Sequence, residues 1–325
     1  MFNLKRKIKS RIVLEINDYV VRVIIVPAKG KSAWQGYEVA LPEKIIENAS
    51  IIDEMALFSF LQETFKKWGI KREAVYFLVP DTSVLLRTFK HPNDIKSSEL
   101  KGYIEMELGQ SIHLPFDEPL IDIYDPITDD GEAILFAAPS EEVYKISGIL
   151  QDIHLTPEVA DVRALSNIRY LEATKQLQEE TTYLIANWSI NELSIAIYSY
   201  ENIEFLRYQS IDTNRTSWSH QFNNDSVIYE CNDEEQYQVL ITDQVLEIDR
   251  MMNFFKFSLH KGEREVDQLI VLGDNPKLVS IAEFLKENLS VQVKLIDEHT
   301  IQKDFPNFNA NFTTLLGLAL KGEVQ

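Results

Sequence analysis

Apolar residues fall in short blocks along this chain, and two of those blocks resemble each other. Residues 11–26 read RIVLEINDYVVRVIIV. Two β-branched runs, 12–16 and 20–26, flank the polar residues Asn17, Asp18 and Tyr19. Asn and Asp tolerate the positive-φ backbone that a tight turn needs, so the stretch predicts a β-hairpin. A similar arrangement returns at 183–198, YLIANWSINELSIAIY, with its polar turn over residues 189–192. A hairpin opening each half of the chain implies an internal duplication.

Between the hairpins the periodicity changes several times. Residues 34–39 read as a third strand. Residues 53–68 read as an amphipathic helix with Leu57, Leu61, Phe65 and Trp68 on one face, Asp53 as cap and Gly69 as stop. A buried strand at 74–79 closes at Pro80 and Asp81. This order of three strands, a helix and a strand suits an α/β layer. A block of different character follows. It has a strand at 84–89, a break at Pro92, Asn93 and Asp94, a helix at 98–110 and an extended stretch at 112–124. A turn at 128–131 and a strand at 133–137 lead to a helix at 140–152 with Ser140 as N-cap. The block reads as a small α+β insert with its own core. Strand 155–159 and helix 161–178 return to the first layer, and 176–182 is the linker candidate. After the second hairpin come a strand at 203–210 and a polar segment at 212–238, read as loops and one helix. A helix at 242–259 and a strand at 266–272 follow. Helix 276–288, with Asn275 as cap and Pro276 at its first position, precedes a strand at 291–296 and a closing helix at 310–320.

Composition narrows the functions that such a fold can serve. Acidic residues outnumber basic ones 51 to 32, for a net charge of −19, and such a surface repels phosphate backbones. Nucleic acid is therefore not an expected partner. No apolar run approaches the ~20 residues of a membrane span, and no signal-peptide pattern opens the chain. The single cysteine, Cys231, excludes an internal disulfide and fits a reducing compartment. These features predict a cytoplasmic protein. The first eleven residues carry Lys5, Arg6, Lys7, Lys9 and Arg11 with no acid. They read either as a weak electrostatic tether to anionic lipid or as a solvated terminus; Phe2, Leu4 and Ile8 are too few to anchor the chain alone.

Most catalytic constellations are missing. With 11 glycines, no G-x-G-x-x-G and no G-x-x-x-x-G-K-[ST], the chain lacks Rossmann and Walker phosphate cradles. The six histidines are scattered and no CxxC occurs, so no metal site is expected. No serine sits in a nucleophile elbow. The pairs Glu105/Glu107 and Asp129/Asp130 read as solvated charges rather than acid/base partners.

Several strings, taken in order, resemble the PilM family of type IV pilus assembly proteins, bacterial relatives of FtsA with the actin-like ATPase fold. They are IEMELGQSIHLPFDEPLIDIY at 104–124, ILFAAPSEEV and LTPEVADVRALSNIRYL within 134–171, LEIDRMMNFFKF at 246–257, LIVLGDNPKLVSI at 269–281 and FTTLLGLALKG at 312–322. The resemblance implies an α/β, two-domain actin-like fold of duplicated RNase H-like domains. Domain 1 would span 1–178 with an insert at 82–154, domain 2 would span 179–308, and residues 309–325 would pack back on domain 1.

It also implies a nucleotide cleft clamped by two hairpin turns of D-I-G-x-x form and a glycine-rich adenosine loop, where glycine admits phosphate and a carboxylate holds Mg²⁺ through water. Here Glu15, Ile16, Asn17 and Asp18 stand at the first turn, Asn187, Trp188 and Ser189 at the second, and Gly273, Asp274, Asn275 and Pro276 at the loop. Each departs from the pattern by losing glycine, by losing a carboxylate or by adding negative charge. The expected cofactor is therefore none, with weakly held Mg-ATP as the alternative.

The family further implies a partner: the cytoplasmic N-terminal tail of a PilN-like membrane protein, held between the core and the insert at the inner face of the membrane. Glu105, Leu108, Ile112, Leu114, Pro115 and Phe116 are the expected groove residues, unless the apolar ones pack the insert's own core. Other platform proteins or a second copy are further partners the resemblance allows. A non-catalytic scaffold is the expected function; an ATP-binding switch and an FtsA-like membrane-tethered filament are the alternatives.

Overall fold

The structure, a computed structural model, describes residues 10–92, 94–126, 130–223 and 226–322. The basic residues Lys5, Arg6, Lys7 and Lys9, with the tether they suggest, lie outside the described residues, as do Asn93, Asp129 and the last three positions.

The first half runs β1 (Arg11–Ile16), β2 (Val20–Val26), β3 (Gln35–Ala40), the two-residue strands β4 (Ile46–Glu47) and β5 (Ser50–Ile51), α1 (Glu54–Lys67) and β6 (Ala74–Leu78). It continues through β7 (Leu85–Lys90), α2 (Leu100–Glu107), β8 (Pro119–Tyr124), β9 (Glu132–Pro139), α3 (Ser140–Asp152), β10 (Thr156–Asp161) and α4 (Arg163–Ala173). The second half runs β11 (Tyr183–Trp188), β12 (Glu192–Ser199), β13 (Asn202–Ser210), β14 (Trp218–Asn223), β15 (Ser226–Cys231) and α5 (Glu234–Asn253), which a π-helical segment (Phe254–Leu259) extends. It closes with β16 (Gln268–Gly273), α6 (Leu278–Asn288), β17 (Gln292–Leu295), α7 (Glu298–Asp304) and α8 (Thr313–Ala319).

Each half is built on a five-stranded sheet. The spatial orders are β10-β6-β1-β2-β3 and β13-β12-β11-β16-β17. Numbered within its own half, each sheet has the same order: fifth, fourth, first, second, third. The duplication implied by the two hairpins is therefore topological. In both sheets the first strand pairs antiparallel with the second and parallel with the fourth. Such central strands are covered on both faces, which is why β1 and β11 read as apolar runs rather than alternating ones.

Apolar packing divides into layers. Ile12, Leu14, Val21 and Val23 face α1 and α3 through Leu57, Leu61, Phe65, Ile146 and Leu150. The opposite face of the same strands, Val13 and Ile24, joins Ile185 and Ile270 of the second half and Leu315 and Leu316 of α8 in one core. Helix α8 comes very close to α4. A Cβ added to Gly317 would sit 1.8 Å from the Ser166 carbonyl oxygen, so only glycine fits there. The insert has a three-stranded antiparallel sheet, β7-β9-β8, and buries Phe89, Leu100, Ile104, Ile112, Ala133 and Leu135 against one another.

Several expected elements are corrected. Segment 212–238 forms the β14–β15 hairpin before α5 begins at Glu234. One face alternates Trp218, His220 and Phe222 against Cys231, Tyr229 and Val227, and the polar residues of the other face masked that period. The helix expected at 161–178 is only Arg163–Ala173, because Asp161 ends β10. Of the extended stretch 112–124, only Pro119–Tyr124 is a strand. Ser140 is the first residue of α3 rather than its cap, and α6 starts at Leu278, with the Asn275 side chain accepting from the Lys277 N–H. Residues 310–312 form a 3-10 turn before α8. Asp53 caps α1 as its sequence implies, accepting from the Ala56 N–H at 2.9 Å.

Candidate functional site

The two hairpin turns and the loop after β16 meet where the halves face each other, at the carboxyl ends of the parallel strands. Open α/β sheets present ligand sites at that edge. Here four backbone donors of those turns bond to the chain's own carbonyls. The Asn17 N–H donates to the Val20 carbonyl and the Ser189 N–H to the Glu192 carbonyl, each at 2.9 Å. The Asp274 and Asn275 N–H groups both donate to the Trp188 carbonyl, at 3.0 and 3.1 Å. Gly273 serves the same contact. Its φ is +127°, and a Cβ there would lie 2.1 Å from the Trp188 oxygen. The glycine answers to the neighbouring strand.

Two arginines that the sequence analysis did not single out organise the charges. Arg22, in the middle of β2, is 1 % exposed. Its Nε lies 2.7 Å from Glu38, and its Nη1 lies 2.6 Å from Asp274 and 3.6 Å from Glu15. The Tyr19 hydroxyl donates to the same Asp274 carboxylate at 2.6 Å. Arg163 opens α4 and is 5 % exposed. It reaches Glu15 and Asp81 at 2.7 Å each and Glu192 at 3.1 Å, and donates to the Asn17 side-chain oxygen at 3.3 Å. Glu15, at the position of the metal-facing acid, thus lies between two guanidinium groups. A lone charge inside the run VVRVIIV was the available signal for Arg22, since a fully buried arginine is rare unless paired. Arg163 gave no such signal, because a basic residue in a polar stretch is ordinary.

The remaining residues singled out at the turns are placed as follows. Asp18 accepts from the Ala49 N–H at 3.0 Å and from the Asn191 side chain at 3.1 Å. Asn187 points away from the turns, donating to the Thr314 hydroxyl at 3.0 Å, which in turn donates to Asn167 at 2.9 Å. Ser189 is buried beside Asp274 and Tyr19. So Glu15, Asn17, Asp274 and Ser189 converge with Arg22, Arg163, Asp81 and Glu192, while Asn187 belongs to the contact with α8.

Burial and charge set the protonation of this cluster. Burial works against ionised Asp274, but Arg22 and the hydroxyls of Tyr19 and Ser189 outweigh it and hold its carboxyl below the usual range. Glu192 goes the other way. Burial pushes it up to about 8, against the pull of Arg163 and with the push of Asp81, Asp18 and Glu15. Asp18 is also raised, by burial, against hydrogen bonds from the backbone of Ala49 and Asn48.

Little space is left. The cavity bounded by Asn17, Asp18, Asp81, Arg163 and Glu192 is about 20 Å³, room for one water. At the lip, between β4 and the β14–β15 hairpin, a second cavity of about 270 Å³ lies against Tyr19, Trp218 and Tyr229. The hairpin crosses the lip as a strap. The Tyr229 hydroxyl donates to the Tyr19 carbonyl at 2.6 Å, the Val227 N–H to Glu38 at 2.9 Å, and Arg215 to the Leu41 carbonyl at 3.1 Å. Among the described residues, no group of histidines, cysteines and acids is arranged to hold a metal ion.

A different depression lies between the insert and the first sheet. It measures about 250 Å³ and is walled by Val79, Val84, Leu120, Phe136, Val143 and Val162, with Lys101 and Asp122 also lining it. The six residues expected to form a groove lie elsewhere. Ile112 is buried in the insert's core, with Leu108 and Leu114 half-buried against it. Glu105 and Pro115 are exposed and Phe116 is half-buried.

Comparison with known proteins gives the following. The sequence profile of the family described as type IV pilus assembly protein PilM matches residues 15–322. No curated protein sequence matches significantly. Among solved structures, a PilM–PilN type IV pilus biogenesis complex is similar at a TM-score of 0.76, with 16 % identity over 96 % of this chain and 98 % of that one. MreB 5 of Spiroplasma citri bound to AMPPNP aligns at 0.51, with 9 % identity over 97 % and 96 % of the two chains. A Bacteroides thetaiotaomicron protein of actin-like ATPase fold and unknown function aligns at 0.50, with 10 % identity over 98 % of each. The fold is the actin-like one, duplicated and carrying an insert in its first half.

Proposed function

Because this chain belongs to the PilM family of type IV pilus assembly proteins, we propose that it is a non-catalytic scaffold of a pilus-type platform, holding the cytoplasmic tail of a PilN-like membrane protein at the inner face of the membrane. One observation carries the non-catalytic part. At the turns that would clamp a nucleotide, Arg22 and Arg163 sit on the carboxylates, and the N–H groups of Asn17, Ser189, Asp274 and Asn275 donate to neighbouring carbonyls. A metal-bound triphosphate needs free donors at both turns and an acid open to the metal's water shell. As arranged, these residues do not fit that ligand.

The partner reading rests on the family and on the similar PilM–PilN complex. The 250 Å³ groove supplies what an extended tail requires: apolar pockets for its side chains beside a sheet edge, since β8 pairs on one side only. Among the described residues no helix is long and apolar enough to cross a bilayer. In this reading membrane attachment comes through the partner.

Calorimetric titration tests both parts. A synthetic N-terminal tail of the PilN-like protein encoded alongside gives saturable heat, and Mg-ATP gives none. Micromolar binding of Mg-ATP would replace the scaffold by an ATP-dependent switch. Absence of tail binding to the intact protein would leave the fold without its partner.

A further inference from the structure

We propose that Arg22 and Arg163 are built-in substitutes for a metal-bound nucleotide, holding the two halves closed without any ligand. The inference rests on the nucleotide-free reading of the cleft and goes beyond it, from what the cleft excludes to what replaces it.

The argument lies in how the charges are shared. Each arginine is seated in the first half by acids of that half: Arg22 by Glu38 and Glu15, Arg163 by Glu15 and Asp81. Each then extends one contact across the cleft, Arg22 to Asp274 and Arg163 to Glu192. The crossing side chains are 6 % exposed at Asp274 and 11 % exposed at Glu192. Among the described residues, Asp274 and Glu192 form ion pairs with these arginines and with no other cation. Separating the halves would therefore leave two acids of the second half without their cations and open the 20 Å³ pocket to water.

A bound nucleotide closes a two-domain cleft by presenting charge that both sides contact. Here the bridging charge is positive and covalently part of the chain, so it cannot be released by hydrolysis or exchange. Further hydrogen bonds finish the seal. Ser194 donates to Asp81, Asn191 to Asp18, and the β14–β15 strap ties to Tyr19, Glu38 and Leu41.

Spin labels measure the closure directly. In a Cys231→Ser background, Lys71→Cys and Lys286→Cys place exposed labels on the outer surfaces of the first and second halves. Double electron–electron resonance on the full chain is expected to give one narrow distance distribution, identical with and without Mg-ATP. Arg22→Met with Arg163→Met is expected to shift that distribution to longer distances and broaden it. A shift on adding Mg-ATP to the unaltered chain would overturn the nucleotide-free reading and the proposal together. No such shift, combined with an unchanged distribution in the double variant, would overturn the proposal alone. Should circular dichroism show the double variant unfolded, Asp274→Asn with Glu192→Gln removes the Asp274 charge and both acid groups while keeping their shape, and is read by the same criteria.

Discussion

The cleft between the halves and the groove beside the insert lie on two sides of one strand-to-helix turn. Val162 lines the groove, and Arg163, the next residue, points into the cleft. Asp81 and Val84 divide in the same way after β6. On the cleft side the walls are charged, and those charges are satisfied by one another. On the groove side the walls are mostly apolar, with Lys101 and Asp122 among them, and no described residue covers them. Apolar surface open to a second molecule therefore lies on the groove side. In a fold known for its polar cleft, that is the instructive difference.

Four experiments would break or sharpen this contrast. The largest effect belongs to Arg163→Met. Removing the cation from a buried cluster of acids costs about 3–5 kcal/mol, and equilibrium urea denaturation should show the loss. A change below about 1 kcal/mol would mean that water enters the cleft freely, contrary to its packing. Next is Leu120→Asp, which puts an acid on the apolar groove wall. Tail affinity should fall tenfold or more, about 1.4 kcal/mol, with little change in unfolding. Phe116→Ala, outside the groove, should leave affinity within about twofold. Equal losses from the two variants would move the binding surface to the stretch that the sequence favoured.

The third effect is on pH. Glu192 keeps its proton in the folded chain up to about 8, whereas an unfolded glutamate loses it near 4.5. Between those values the unfolded chain binds fewer protons, so this group's contribution is full at low pH and is lost as pH rises through 8. From pH 7 to 9 stability should fall by about 1 kcal/mol on that account, and Glu192→Gln should flatten the decline. A profile unaltered by the substitution would show that Glu192 is ionised at neutrality. The smallest effect is the one expected of Mg-ATP on thermal unfolding, which is none. A ligand at a hundred times its dissociation constant would add about 2.7 kcal/mol, so even weak binding would be visible.

How much of this could be read in advance depended on the range of the interactions. Strand and helix patterns are local, and the paired hairpins, α1 with its Asp53 cap and the strands around β6 and β16 were legible from spacing alone. The departure of Asn17, Asn187 and Asp274 from a phosphate clamp was legible as chemistry at known turns. The arginine contacts made at those turns were not. Arg22 finds Asp274 across 252 positions and Arg163 finds Glu15 across 148, and no window of sequence contains either pair. The packing of the expected groove residues was hidden for a related reason. Leu108, Ile112 and Leu114 have the apolar character of a docking surface, but α2 and β9 fold over and consume it. Leu120 and Val143 do become walls, because one sits on a sheet edge and the other on a helix at the seam with the first sheet.

The short helix α8 also governs when the molecule can fold. Arg11, at the start of β1, hydrogen-bonds the Ala319 carbonyl at 2.7 Å across 308 positions, and Leu315 and Leu316 complete the core that Val13 and Ile24 begin. During synthesis at about 5–20 residues per second, the first sheet emerges long before the helix that covers it. One apolar face of that sheet must wait for nearly the whole chain, so the nascent first half is the stage at which this protein depends most on being shielded from other chains.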